Sequence, residues 1–302
     1  FKKKNETIKR IIEYQRESAA RNGWEFTDWN APMVAINQEL QQKDPSFTLC
    51  GNDRIHPDND GHMVMAYLFL KAQGLAGKLV ADIRIDGAGK KVTRSDNCRV
   101  SDLSVSSDNL TFTYEAKSLP YPIDTSYYDN EKHTQADALS VIPFMDEMNY
   151  EGLSVSGLSD GYYGLTIGGE FIGRFTAREL ERGINMALLQ NTPQYKQAMK
   201  IRQMNEERWL KERKMREFYW VEYNLMRKTG MLWACNEAAV DTLRKYRPHD
   251  IFLQWNGDLW LQYMHKGIRE DCVNEQQDLV NRIYEQNKPI PLRIEIKKFT
   301  DL

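Results

Sequence analysis

The run Met63-Val64-Met65-Ala66-Tyr67-Leu68-Phe69-Leu70 restricts the folds open to this chain more than any other segment. It is apolar nearly all round, and a helix without a polar face has to be buried, here against a sheet. The residues ahead of it are equally restrictive. Gly51-Asn52-Asp53-Arg54-Ile55-His56-Pro57-Asp58-Asn59-Asp60-Gly61-His62 sets a carboxylate three positions before an imidazole on a tight turn. A histidine acting as general base needs its second ring nitrogen held by an acceptor, and Asp53 can supply one locally. His56 and Asp53 are thus the candidate catalytic pair, the first as base and the second as the group that orients it.

Residues 1–77 read as the end of an α/β domain. A helix runs to Asn22, a short strand covers 24–28, a loop passes Asn30, Ala31, Pro32 and Met33, and a helix near 34–42 leads to the His56 turn. The chain begins on a basic helix with no apolar run behind it, so it shows no signal peptide and reads as entered midway. Residues 78–175 form an accessory β-rich region of alternating stretches near 79–85, 100–105 and 110–114 and from Leu153 to Phe175, with Gly168-Gly169 as a hairpin turn. Thr176-Ala177-Arg178-Glu179 is a capping box that opens a mainly helical region, residues 176–302. Its long helices are expected at 194 to about 228 and 259 to about 286, joined by an aromatic linker at 252–258, with a last strand at 292–296. The stripe Met215, Phe218, Tyr219, Leu225 and Met226 is expected to pack back on the β unit. Trp209, Trp220, Trp233, Trp255 and Trp260, at helical spacing, are expected in the core.

Other chemistries are disfavoured by spacing. Gly157-Leu158-Ser159-Asp160-Gly161 matches a nucleophile elbow as a string, but an elbow joins a strand to a helix and Ser159 precedes a strand, so it is read as a turn residue. His56, Asp58, Asp60 and Gly61 fall at calcium-loop offsets, yet the position that needs a bidentate glutamate is Tyr67. His56 and His62 share no face for zinc, and no Cys-x-x-Cys pair occurs. Cys50, Cys98, Cys235 and Cys272 read as unpaired buried thiols, although an oxidising compartment would permit a Cys235–Cys272 bridge. A net charge of -2 gives no footing for nucleic acid, and no stretch reaches the roughly 18 apolar residues of a membrane span.

The string Asp53-x-x-His56-Pro57, followed by Gly61-His62 and the apolar helix, resembles the last conserved block of the SGNH (GDSL-type) hydrolases. Tyr163 to Gly169, Gly173 to Leu180, Gly183 to Ala187 and Asn191 to Tyr195 are similar, in that order, to the C-terminal appendage of many bacterial members. The resemblance implies the C-terminal remnant of a flavodoxin-like three-layer α/β domain, then a small β unit and a helical region. It implies a serine ester hydrolase without cofactor, of carbohydrate (acetyl) esterase type, acting on an acylated small molecule or glycan in a secreted or periplasmic setting. In that family the serine and oxyanion donors lie in earlier blocks, which have no counterpart here, so the chain alone is expected to be inactive. The rival reading is a non-catalytic glycan-binding or interaction module.

Overall fold

A computed structural model describes residues 2–126 and 133–299, with side chains from Asn5 onward. Helix α1 (Lys2–Asn22) leads into an irregular stretch at 24–28 and then α2 (Asn30–Leu40) and α3 (Asn59–Ala72). The stretch at 24–28 has the residues of a strand but no strand pairs with it among the described residues. Pro32 lies inside α2 instead of in a loop. It occupies the first turn, where the missing N–H would have no helical acceptor, and the Asp28 carboxylate takes the Ala31 N–H at 3.1 Å.

Strands β1 (Ala81–Asp86), β2 (Lys91–Asp96), β3 (Cys98–Val105) and β4 (Asn109–Ala116) follow; then come α4 (Phe144–Glu147), β5 (Glu151–Ser156), β6 (Tyr162–Ile167) and β7 (Glu170–Thr176). One mixed sheet has the order β2-β1-β5-β8, with β1 and β5 parallel and β8 spanning Ile184–Asn185. The other is antiparallel, β3-β4-β9-β6-β7, and its central strand β9 (Leu292–Lys298) is the last element of the chain. Alternation along β4 and β9 turns Leu110, Phe112, Ile294 and Ile296 inward against Ile83, Ile85 and Val155. The β6–β7 hairpin turns at Gly168 and Gly169, with φ of 60° and 84°, a reversal that suits the twist of paired strands and that side chains disfavour. Thr176 and Glu179 form the reciprocal cap of α5 (Ala177–Arg182).

Helix α6 (Pro193–Val221) continues as a π-helical turn, Glu222–Met226, and is followed by α7 (Glu237–Tyr246), α8 (Ile251–Tyr263) and α9 (Lys266–Gln286). The residues expected to be an aromatic linker are helical, because Asp250 accepts the Phe252 and Leu253 N–H groups and starts α8 among them. The expected single helix from Leu259 breaks at His265, whose backbone is extended. The apolar stripe also finds a different partner from the one expected: Met215, Phe218, Leu225 and Met226 are buried against Leu243, Leu253 and Trp260 of α7 and α8, in a core separate from the sheets. Of the five tryptophans expected inside, Trp260 is fully buried, while Trp209, Trp233 and Trp255 are exposed.

The π turn brings Glu222 into this helical core, 1% exposed. Its carboxylate accepts the Trp260 indole N–H and the Trp233 amide, each at 2.8 Å. The second bond restrains a residue with φ of 64°, a conformation uncommon for a bulky side chain. Among the described residues no helix is long and apolar enough to cross a membrane, and the four cysteines are free, Cys235 being exposed where a buried thiol was expected. Glu222→Ala should leave the buried Trp260 indole N–H and the partly buried Trp233 amide without their acceptor and lower the unfolding free energy by about 3 kcal/mol, measurable by urea denaturation followed through tryptophan fluorescence. A loss below about 0.5 kcal/mol would show that the π turn does not hold this core.

Candidate active site

The candidate pair sits in a short reversal closed by a single bridge between Cys50 and Pro57. Gly51 N–H donates to the His56 carbonyl at 2.9 Å, and Asp58 N–H donates to the Leu49 carbonyl at 3.1 Å. Arg54 turns the chain with φ of 56°. Inside the turn Asp53 bonds both ways: one carboxylate oxygen accepts the Ile55 and His56 amides at 2.9 and 3.1 Å, and the other lies 2.5 Å from Nδ1 of His56. The His56 hydrogen bond, with the two amides behind it, holds the Asp53 carboxyl down at about 2. The His56 side chain is 83% exposed. An imidazole that gives Nδ1–H to a fixed carboxylate presents Nε2 outward as a proton acceptor.

The turn is anchored to α3 by Gly61. A Cβ there would lie 2.0 Å from the Leu49 carbonyl oxygen, so the helix start and the segment before the turn approach closely because this residue is glycine. Asp58 caps the helix, accepting Asn59 N–H at 3.0 Å, and Asp60 accepts Gly61 N–H at 2.7 Å. Both carboxylates are buried, at 3% exposure. His133 closes over them, with Nδ1 3.0 Å from Asp60 and 4.0 Å from Asp58, and its carbonyl takes the Asn59 amide at 3.3 Å. Burial pushes the Asp60 carboxyl up, while the His133 imidazole pulls it down. These three side chains bring ligand atoms to within 4.8 Å of one another. Two of them already serve the backbone of α3, so the grouping reads as a helix cap joined to a distant segment. His56 is not part of it, and His62 is exposed.

Ser159 lies on the exposed loop between β5 and β6. Its hydroxyl accepts from Lys298 Nζ at 2.8 Å and sits 3.1 Å from the Tyr163 hydroxyl, so its partners are Lys298 and Tyr163. Beside the His56 turn, by contrast, α1, α2 and the stretch at 24–28 enclose a groove of about 790 Å³ lined by Ile8, Ile12, Phe26, Trp29, Ile55 and Pro57, among others. The apolar helix α3 is covered on one side by Ile123, Ala138, Ile142 and Phe144, while Phe69 on its other side is exposed.

Residues 199–288 match the family model of the diltiazem deacetylase C-terminal helical domain. A solved structure of a gut microbial diltiazem-metabolizing enzyme is 52% identical, with a TM-score of 0.94, over 99% of this chain and 68% of that one. No curated protein sequence matches this chain. The geometry of the turn makes a pH prediction. Because the folded Asp53 carboxyl titrates near 2 and an unfolded one near ~3.9, its contribution to stability is present above that unfolded value and is lost as pH falls through about 2. Carbon-detected NMR should find Asp53 titrating near 2, and His56→Ala should raise it toward the ordinary carboxylate range. An Asp53 titration unmoved by that substitution would mean that the imidazole contact is absent in solution.

Proposed function

Because this chain belongs to the same family as the gut microbial diltiazem-metabolizing enzyme, we propose that it is the histidine-bearing part of a serine ester hydrolase of SGNH type that removes acetyl groups. The observation that carries this reading is the 2.5 Å contact between Asp53 and His56 Nδ1 on an exposed turn. His56 Nε2 takes the proton of the serine hydroxyl as its oxygen attacks the acetyl carbonyl, and returns it to the departing alcohol. Water then repeats the cycle on the acetyl-enzyme. Asp53, kept ionised by its hydrogen bonds, fixes the ring and stabilises the imidazolium. No cofactor takes part.

The serine and oxyanion donors are assigned to chain ahead of Phe1. The groove supports this assignment: its apolar walls and the unpaired stretch at 24–28 are what a packed α/β domain would cover with strands. The relative's diltiazem suggests a small acetylated alcohol as substrate, the SGNH resemblance suggests an acetylated glycan, and the scissile group is the same in both. A secreted or periplasmic setting completes the proposal.

The test is hydrolysis of an aryl acetate and of an acetylated polysaccharide, by this chain and by a longer one that includes the upstream region. This chain alone should hydrolyse neither, since acyl transfer depends most on a positioned nucleophile and oxyanion donors. In the longer chain, His56→Ala should lower kcat by a factor on the order of 10⁴–10⁶ and Asp53→Asn by about 10⁴. Turnover of both substrates at the unsubstituted rate by His56→Ala would overturn the assignment of this turn.

A further inference from the structure

Glu151 is a carboxyl group with no exposure to solvent, at the first position of β5. One of its oxygens accepts the Tyr114 hydroxyl of β4 at 2.8 Å and the Gln194 side-chain amide of α6 at 3.2 Å. Among the described residues its other oxygen, Oε2, is buried and lacks a hydrogen-bond partner, and so does Oε1 of the same Gln194, itself 3% exposed. Two unsatisfied acceptors on residues already bonded to each other need a donor between them. An ionised carboxylate has none to offer. A neutral acid has one: its hydrogen on Oε2, given to the Gln194 carbonyl oxygen, would complete a two-bond acid–amide pair and satisfy both atoms with a single proton.

We propose that Glu151 is a proton-binding site built into the junction of the two sheets with α6. It is neutral in the closed fold, and its ionisation loosens the amino end of α6 and thereby the helical unit. The groups that face it are neutral: Tyr114 from β4, Gln194 from α6, and Asn185 of β8, whose side-chain oxygen takes the Glu151 backbone N–H at 3.0 Å. The groups that act on its charge are Tyr114 and Gln194, with no cation among them. Burial accordingly outweighs the two hydrogen bonds and pushes its titration up to about 7.

The sign follows from this. With the folded value raised above an ordinary ~4.3, the stability contributed by the neutral acid is fully present below that ordinary value and is lost as pH rises through about 7. Three measurements on the chain as it stands test the proposal, which does not depend on the reading of His56. The wild type should show the infrared carbonyl band of a buried protonated carboxyl at pH 6, gone by pH 9. Between pH 5 and pH 8 its unfolding equilibrium constant should rise on the order of a hundredfold through this group, and amide exchange in the first turns of α6 should quicken. Glu151→Gln should lack the band and lose that share of the pH dependence, and Gln194→Leu should shift the band by removing its acceptor. Absence of the band at pH 6, or a pH dependence unchanged in Glu151→Gln, would overturn the proposal. Because the band is read first on the wild type, a Glu151 variant that fails to fold does not spare it. A wild type with no band and sodium-dependent stability would assign the site to a bound cation and overturn the proton.

Discussion

The first three turns of α6 tie the molecule together. Thr192 caps the helix, Gln194 reaches into the space between the sheets, the Tyr195 hydroxyl donates to the Ile123 carbonyl at 2.9 Å, and Arg202 pairs with Asp124. The sheet core and the core under α3 are thus gripped by one rigid rod. Beyond Met204 the same rod becomes the spine of the helical core, against which α8 and α9 pack. Each grip uses a partly or fully buried polar contact. Such contacts add less net stability than apolar burial, but they leave few alternative arrangements because each donor needs its own acceptor.

What was legible in the sequence is what short-range chemistry decides. The Asp53–His56 contact, the Gly168-Gly169 reversal and the Thr176–Glu179 cap each involve residues at most three positions apart, and all three form. The positions of the long helices followed from periodicity, though not their ends. His265 breaks a helix that propensity would have continued, and Asp250 starts one within residues that read as a linker. Contacts set by the whole fold left no local mark. His133 reaches Asp60 from the far side of the chain, Asn109 meets Glu295 at a separation of 186 residues, and the groove beside the candidate site is formed by segments that share no motif. The stretch at 24–28 fails in the opposite sense, for its residues have strand character and no strand pairs with them among the described residues. A strand is a property of a pair.

The candidate pair is itself an economical arrangement. Asp53 satisfies two backbone amides with one oxygen and the imidazole with the other, so the turn and the orientation of the base share a single carboxylate. Gly61 lets α3 approach the segment ahead of the turn, and the buried Asp58 and Asp60, with His133, fix the helix start. With the ring held at Nδ1, Nε2 is the atom of His56 left to exchange a proton.

The place of β9 has a consequence for the order in which the chain can acquire structure. Strands β4 and β6 are both complete before α6 begins, yet the edge by which each joins the sheet is filled only by β9, which enters between them after the whole helical unit has been made. Closing so long a loop costs little extra free energy, because the entropy grows only with the logarithm of its length, but it delays the event. During synthesis the helical unit, rich in local contacts, can therefore condense first, while two sheet edges wait open. The helices would act in that interval as the spacer that delivers the closing strand, and the rate at which they fold would limit how long those edges stay exposed to other chains.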